Sequence, residues 1–381
     1  MNKYLKFFTV FLLFVCLFCV FFVNASNFFT FAKETSIGAK GACVMELQTG
    51  RVLFEQNADE KMPMASTTKI LTCLLVVEQC DNLDAWVTVP DASVGIEGSS
   101  IYLRKGDRLT YRDLLYGLMF RSGNDAAVAL SILIAGSVES FIDMCNSFCA
   151  EHQLLNTHYV TPTGLDDAEH YTTARDLAKL SCIALKNDVF AEIVKTEMYT
   201  MAGQRLATKE KVLKNKNKFL QTYEGADGVK IGYTQKAGKC FVGSATRNGM
   251  HLVGAFLNVD NMFDVCAYVF DSIFKTYAMT EVLPPYYHFG SMPIVHGEKD
   301  YVHIVSKKPF IYPLSLVEKN LLIVKITLDR NLKAPIEKNQ VVGKVEIYLG
   351  NNLIFSSKIY TMERVESNSY FATLQKVLQN F

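Results

Sequence analysis

Residues 7–23 form an apolar run broken only by Thr9, and this run governs how the rest of the chain can be read. Lys3 and Lys6 precede it, and Val23-Asn24-Ala25 follows it as a small-residue pattern with a cut before Ser26. A positive start, an apolar stretch and a small-residue site together describe a secretory signal peptide over residues 1–25. The alternative is an uncleaved N-terminal anchor, because a run of about 17 residues sits near the lower limit for a membrane span. Either reading places the remainder outside the cytoplasm. The mean hydropathy of +0.13 belongs mostly to this segment. Roughly 44 of the chain's ~50 hydropathy units fall within residues 1–25, so the rest averages near zero, as a soluble protein does.

Two of the 39 basic residues lie in that segment, which leaves 37 against 38 acidic ones in the remainder. A nearly neutral chain offers no basic field for nucleic acid. The length of 381 residues fits two or three domains. Of ten cysteines, Cys16 and Cys19 form a C-x-x-C, but it falls inside the apolar run, so no redox role is expected of it. The other eight lie mostly in apolar stretches without zinc-site spacing, and mostly free thiols are expected.

Along the chain, strands are expected at 42–46 and 52–56, joined by Gln48-Thr49-Gly50. A buried helix follows over 66–78, with Ser66 at its start as an N-cap-type residue. Residues 109–185 read as mostly helical, with runs at 111–120 and 125–134. Strands are expected at 227–233, 240–247 and 251–257, the last two joined by the hairpin dipeptide Asn248-Gly249. A helix follows over 262–274. Strands at both ends with helices between them predict an α/β domain whose antiparallel sheet is completed by late strands. Leu283-Pro284-Pro285 marks a boundary. Beyond it, strands at 321–328, 343–349 and 353–360 predict a small all-β domain over 283–366. In the tail, 367–381, Tyr370, Phe371, Leu374, Val377, Leu378 and Phe381 share one helical face. Such a helix either lies on a membrane surface or packs on its own domain.

Three short motifs carry chemistry. Ser66-Thr67-Thr68-Lys69 is an S-x-x-K, and residues three apart share a helix face, so Lys69 stands beside the Ser66 hydroxyl. A serine becomes a good nucleophile when a base takes its proton, and a lysine with a lowered pKa can be that base. Ser122-Gly123-Asn124 is an S-x-N between two helices. Lys230-Ile231-Gly232 lies on an expected strand. Each is common alone, as a helix start, a helix-breaking turn or an edge-strand lysine. Together, in this order, they match the S-x-x-K, S-D-N and K-T-G set of β-lactamases and penicillin-binding proteins.

The chain resembles the serine D-alanyl-D-alanine carboxypeptidases, the low-molecular-weight penicillin-binding proteins. Thr163-Gly164-Leu165, His170-Tyr171-Thr172-Thr173-Ala174-Arg175-Asp176 and Asp227-Gly228-Val229-Lys230 extend the likeness over about 36–277. The resemblance implies a β-lactamase/transpeptidase-like catalytic domain over 26–280, an antiparallel sheet plus a helical subdomain. It implies that Ser66 attacks the penultimate D-alanine carbonyl of a peptidoglycan stem peptide and that Lys69 takes the proton. Ser122 would relay it to the departing D-alanine, Asn124 would hold the substrate amide, and Lys230 would face the terminal carboxylate. Backbone N–H groups of Ser66 and Tyr233 would form the oxyanion hole, with Gly232 and Thr234 lining the substrate. β-Lactams would acylate Ser66. No metal or cofactor is implied.

The departure is Ile231, where the family usually has threonine. A hydrogen bond to a charged group is worth about 1.5–3 kcal/mol, so its loss implies activity weakened by about 10- to 100-fold. Thr234 is the residue expected to compensate. Three other readings are a β-lactamase, a D,D-endopeptidase and a non-catalytic wall-binding homologue. The first needs a deacylating glutamate. Glu151 is expected instead to end a surface helix.

Overall fold

A computed structural model describes residues 36–203, 211–329 and 332–368. The expected signal peptide lies outside them.

The chain opens with the hairpin β1 (Ala39–Glu46) and β2 (Val52–Gln56). The buried Glu46 carboxylate accepts the Gln48 and Thr49 N–H groups at 3.2 and 2.8 Å, which closes the turn. A 3₁₀ turn, Ala65–Thr68, runs into α1 (Lys69–Gln79). Short paired strands β3 (Trp86–Thr88) and β4 (Arg108–Thr110) lead to the helical region. That region comprises α2 (Tyr111–Phe120), α3 (Asn124–Ala135), α4 (Val138–Glu151), α5 (Ala174–Leu185) and α6 (Asp188–Lys195). The hairpin β5 (Met198–Thr200) and β6 (Val212–Lys214) and the short α7 (Phe219–Thr222) return the chain to the sheet. The antiparallel strands β7 (Ala226–Thr234), β8 (Gly238–Arg247) and β9 (Met250–Val259) follow, then α8 (Met262–Thr276).

The five-stranded sheet has the order β2-β1-β9-β8-β7, so the late strands complete the early hairpin, as the sequence implied. Asn248 and Gly249 take φ of 49° and 75°, the left-handed pair a tight hairpin requires. Both faces of the sheet are covered. Cys43, Met45, Val253 and Ala255 point into a core shared with Leu71, Leu74, Leu114 and Leu177 of the helices. Ala42, Val44, Leu252 and Phe256 point the other way, onto Phe219, Phe241 and Phe270. Alternate residues of one strand thus feed two cores. This places β7, an edge strand, along the margin of the helical region.

β10 (Tyr277–Leu283) follows α8 directly. Next come β11 (Tyr287–Val295), β12 (Tyr301–Ser306), β13 (Phe310–Ser315), the short α9 (Leu316–Lys319), β14 (Leu322–Leu328), β15 (Leu332–Lys333), β16 (Val341–Leu349) and β17 (Asn352–Thr361). The six-stranded sheet β14-β16-β17-β12-β11-β15 has its own core, including Val302, Ile304, Val345 and Ile359. β10 pairs with β13, ahead of the Leu283-Pro284-Pro285 boundary. β11 escaped the sequence reading because only Met292 along it is buried, so its alternation is faint.

At the far end, Ser367 bridges Gly297 and the Asn368 N–H donates to the His296 carbonyl at 2.8 Å. These two residues are extended chain and not the start of the expected tail helix. Its remainder, 369–381, lies outside the described residues. Among the described residues no single helix is long and apolar enough to cross a membrane. Among the described residues eight cysteines are free thiols, and all of these but Cys80 are buried.

Candidate active site

The S-x-x-K turn, the loop before α3 and strand β7 meet at one crevice. Ser66 does not cap a helix as expected. It sits inside the 3₁₀ turn, half-buried, and α1 begins at Lys69. The preceding Ala65 takes φ of +49°, which costs about 1–2 kcal/mol for a residue with a Cβ. Local bonds hold the turn. Thr67 Oγ1 donates to the Met64 carbonyl at 2.6 Å and Thr68 Oγ1 to the Ala65 carbonyl at 2.7 Å.

Lys69 is fully buried, with Nζ 3.1 Å from Ser66 Oγ and 2.7 Å from Asn124 Oδ1. Its third partner is the Thr163 carbonyl oxygen. Asn124 is oriented by its own Nδ2, which donates to the Glu97 carbonyl at 2.6 Å and so turns Oδ1 toward the lysine. A neutral lysine has two N–H donors and one lone pair. Two of its three partners, Asn124 Oδ1 and the Thr163 carbonyl, can only accept. They take both N–H groups, and the lone pair is left facing the Ser66 hydroxyl.

The electrostatics favour that neutral form. Burial holds the Lys69 pKa well below the usual lysine range, the charge of Lys230 lowers it further, and Asp125 opposes the shift. Lys230 is also buried. Burial, with Lys216 adding to it, pushes its pKa down to about 7. Its Nζ donates to the Ile231 carbonyl at 2.8 Å. Burial thus lowers the pKa of both amines, and the charge on Lys230 adds to the shift at Lys69.

Ser122 takes φ of +60° and is buried, and among the described residues its hydroxyl has no hydrogen-bond partner. Gly232 sits where β7 presses on the serine turn. A Cβ there would lie 2.8 Å from the Ser66 nitrogen and 3.1 Å from the Thr67 nitrogen, so no larger residue fits without movement. Tyr233 follows, its side chain 65% exposed at the mouth. Thr234 Oγ1 donates to Asp166 at 2.7 Å and accepts the Ala237 N–H at 3.0 Å. Its proton is therefore committed, which argues against the compensation expected of it. Ile231 packs on the second core and pairs with Phe241 across β7 and β8. Glu151 is exposed on the last residue of α4, as expected of a surface helix end.

Sequence reasoning passed over three contributors. Thr163 and Gly164 were quoted as a signature without a task. Thr163 supplies a carbonyl to Lys69. Gly164 has φ of +86°, and a Cβ there would lie 2.0 Å from the Ala65 carbonyl oxygen. Asp125 is the third. Buried directly after Asn124, its carboxylate accepts Ser100 Oγ at 2.6 Å and the Ile101 and Leu103 N–H groups at 3.1 and 3.0 Å. It pins the loop whose Glu97 carbonyl orients Asn124. An acidic residue opening an otherwise apolar helix was the available signal.

Residues 29–261 match the family described as D-alanyl-D-alanine carboxypeptidase, and residues 277–367 match the penicillin-binding protein 5 C-terminal domain. The D-alanyl-D-alanine carboxypeptidase DacC of Escherichia coli is 31% identical over 355 residues, covering 88% of this chain and 86% of that protein. DacF of Bacillus subtilis is 28% identical over 348 residues, covering 89% of each. Among solved structures, penicillin-binding protein 5 of Haemophilus influenzae superposes with a TM-score of 0.73 at 26% identity, over 88% of this chain and all of that one.

Proposed function

The chain belongs to the D-alanyl-D-alanine carboxypeptidase family of serine peptidases, and from that premise we propose that Ser66 is its nucleophile and Lys69 its general base. It is a penicillin-binding carboxypeptidase that removes the terminal D-alanine from peptidoglycan stem peptides. The observation that carries the site assignment is the partner set of Lys69, in which two acceptor-only oxygens aim the lone pair at Ser66 Oγ.

Ser66 Oγ bonds to the penultimate carbonyl carbon as its proton passes to Lys69. The tetrahedral oxyanion is held by the Ser66 and Tyr233 N–H groups, a role supported by the close approach of Gly232 to the serine turn. The C–N bond then breaks. The proton leaves Lys69 for the departing amine through the unpartnered Ser122 hydroxyl, and D-alanine is released. Water, deprotonated by Lys69, cleaves the ester and restores Ser66. Asn124 keeps one free Nδ2–H for the substrate amide. Lys230 supplies positive charge to the substrate carboxylate, whose arrival favours its protonated form. Gly232 and Thr234 line the same margin.

The protein acts outside the cytoplasm on the cell wall, and β-lactams are its inhibitors. We place the division of the chain at residues 276 and 277, where α8 gives way to β10. The finer reading, a peripheral hold on the membrane through a helix over 369–381, rests on the spacing of its apolar residues alone. D-Alanine release from a synthetic stem pentapeptide tests the reaction, with a cross-linked dimer in parallel. The pentapeptide should be cleaved and the Ser66→Ala variant should be inert. Cleavage of the dimer only would replace carboxypeptidase by endopeptidase action.

A further inference from the structure

His170 is buried two residues before Thr172, outside the three motifs, and touches none of Ser66, Lys69 or Ser122 among its hydrogen bonds. Its ring Nε2 lies 2.8 Å from Thr68 Oγ1, and its Nδ1 accepts the Val160 N–H at 3.2 Å. Tyr159 closes over it edge-on, with ring centroids 5.5 Å apart.

The protons in this chain can be counted. Thr68 Oγ1 has one hydrogen, and it goes to the Ala65 carbonyl at 2.7 Å. Toward His170 the hydroxyl can therefore only accept, so Nε2 carries the hydrogen and Nδ1 is the bare nitrogen that the Val160 N–H requires. One tautomer satisfies every partner. The series runs from Val160 through His170 and Thr68 to the carbonyl of Ala65, the residue at φ +49° immediately before Ser66. An imidazolium would set Nδ1–H against the Val160 N–H. Burial pushes the His170 pKa down to about 4. Asp167 opposes that shift, His158 and Lys69 add to it, and Asp166 opposes it.

We propose that His170, as the Nε2–H tautomer, is a positioning residue that acts through Thr68 to fix the left-handed Ala65 and so the aim of Ser66 Oγ at Lys69. The proposal rests on the reading of Ser66 as nucleophile. Its signature is a loss in the rate of acylation that is separable from folding and from substrate binding.

Two near-isosteric variants discriminate. In His170→Gln the amide N–H reaches the place of Nε2 and keeps the donor to Thr68. In His170→Asn the shorter side chain reaches only the place of Nδ1. Kinetics with a stem pentapeptide and acylation rates with fluorescent penicillin, read beside melting temperatures, are the measurements. His170→Asn should lower kcat by about 10- to 100-fold with KM within about threefold, as expected for a misaimed reacting group. His170→Gln should recover most of it. In a Thr68→Val background, which removes the hydroxyl through which His170 acts, His170→Asn should cost less than about threefold more. Equal rates for the Gln and Asn variants, additive losses in the Thr68→Val background, or a loss in KM alone would overturn the proposal. A wild-type protein that forms no adduct at all would remove the reading beneath it, a result distinct from any of these.

Discussion

Two enclosed cationic settings in this protein show opposite designs. At the junction of the two sheets, Arg51 projects from the β1–β2 turn and its guanidinium lies between the rings of Tyr277 and Tyr312, 5.3 and 5.0 Å from their centroids. It donates to the Pro313 carbonyl and to the Glu318 carboxylate. Burial alone would raise the Glu318 carboxyl pKa, but the Arg51 bond outweighs it and holds it below the usual range. Every charge there has a partner of opposite sign. In the crevice, Lys69 has three neutral partners and Lys230 has a backbone carbonyl. A cation met by a carboxylate holds parts together. Amines buried without one are left close to losing their protons, which suits them to move protons and to meet a substrate's anion.

The contrast can be broken at either end. The largest effect belongs to Lys69→Met, which should lower acylation by about 10³-fold, in the range of a lost general base, with little change in melting temperature. Both acylation and thermal unfolding must be followed, since collapse of the fold would erase the distinction. Lys230→Met should cost about 100-fold, mostly in KM. The pH profile of kcat/KM sharpens this further. Activity should rise with pH as Lys69 loses its proton, and fall above about 7 as Lys230 loses its own. Removing the Lys230 charge lifts one cause of the lowered Lys69 pKa, so the acid limb of Lys230→Met should move to higher pH.

Ile231→Thr should raise kcat/KM by about 10-fold, the low end for a hydrogen bond to a carboxylate, because Ile231 packs on the second core beside Phe241. No gain would mean that the missing hydroxyl is not what limits this enzyme. The smallest effect on activity belongs to the other setting. Arg51→Met should leave acylation within about twofold yet destabilise the junction by about 1–3 kcal/mol, visible as a separate early transition in chemical unfolding. A loss of activity there would merge the two designs.

The sequence was most readable where geometry is local. Residues three apart on a helix put Lys69 beside Ser66, and Asn248-Gly249 fixed the β8–β9 hairpin and with it the register of the sheet. It was less readable where backbone carries the function. The Thr163 and Glu97 carbonyls orient Lys69 and Asn124, and a carbonyl has no letter of its own. Ser66 was expected at an N-cap because serines favour that place. Tertiary contact overrode the preference, since Gly164 and Gly232 press the turn from two sides into a 3₁₀ form. β10 and β11 were missed because each buries a single residue, Leu283 and Met292, too few to produce a period of two, whereas β12 does alternate, with Val302 and Ile304 buried, and was passed over.

The central claim is that Lys69, its pKa lowered by burial and by the charge of Lys230, makes Ser66 the acylated residue. Intact-mass measurement after exposure to fluorescent penicillin tests it most directly. The account predicts one adduct per wild-type chain, mapped to the peptide carrying Ser66, persisting after the free label is removed and absent from Ser66→Ala. Equal labelling of wild type and Ser66→Ala, or none on wild type, would contradict it.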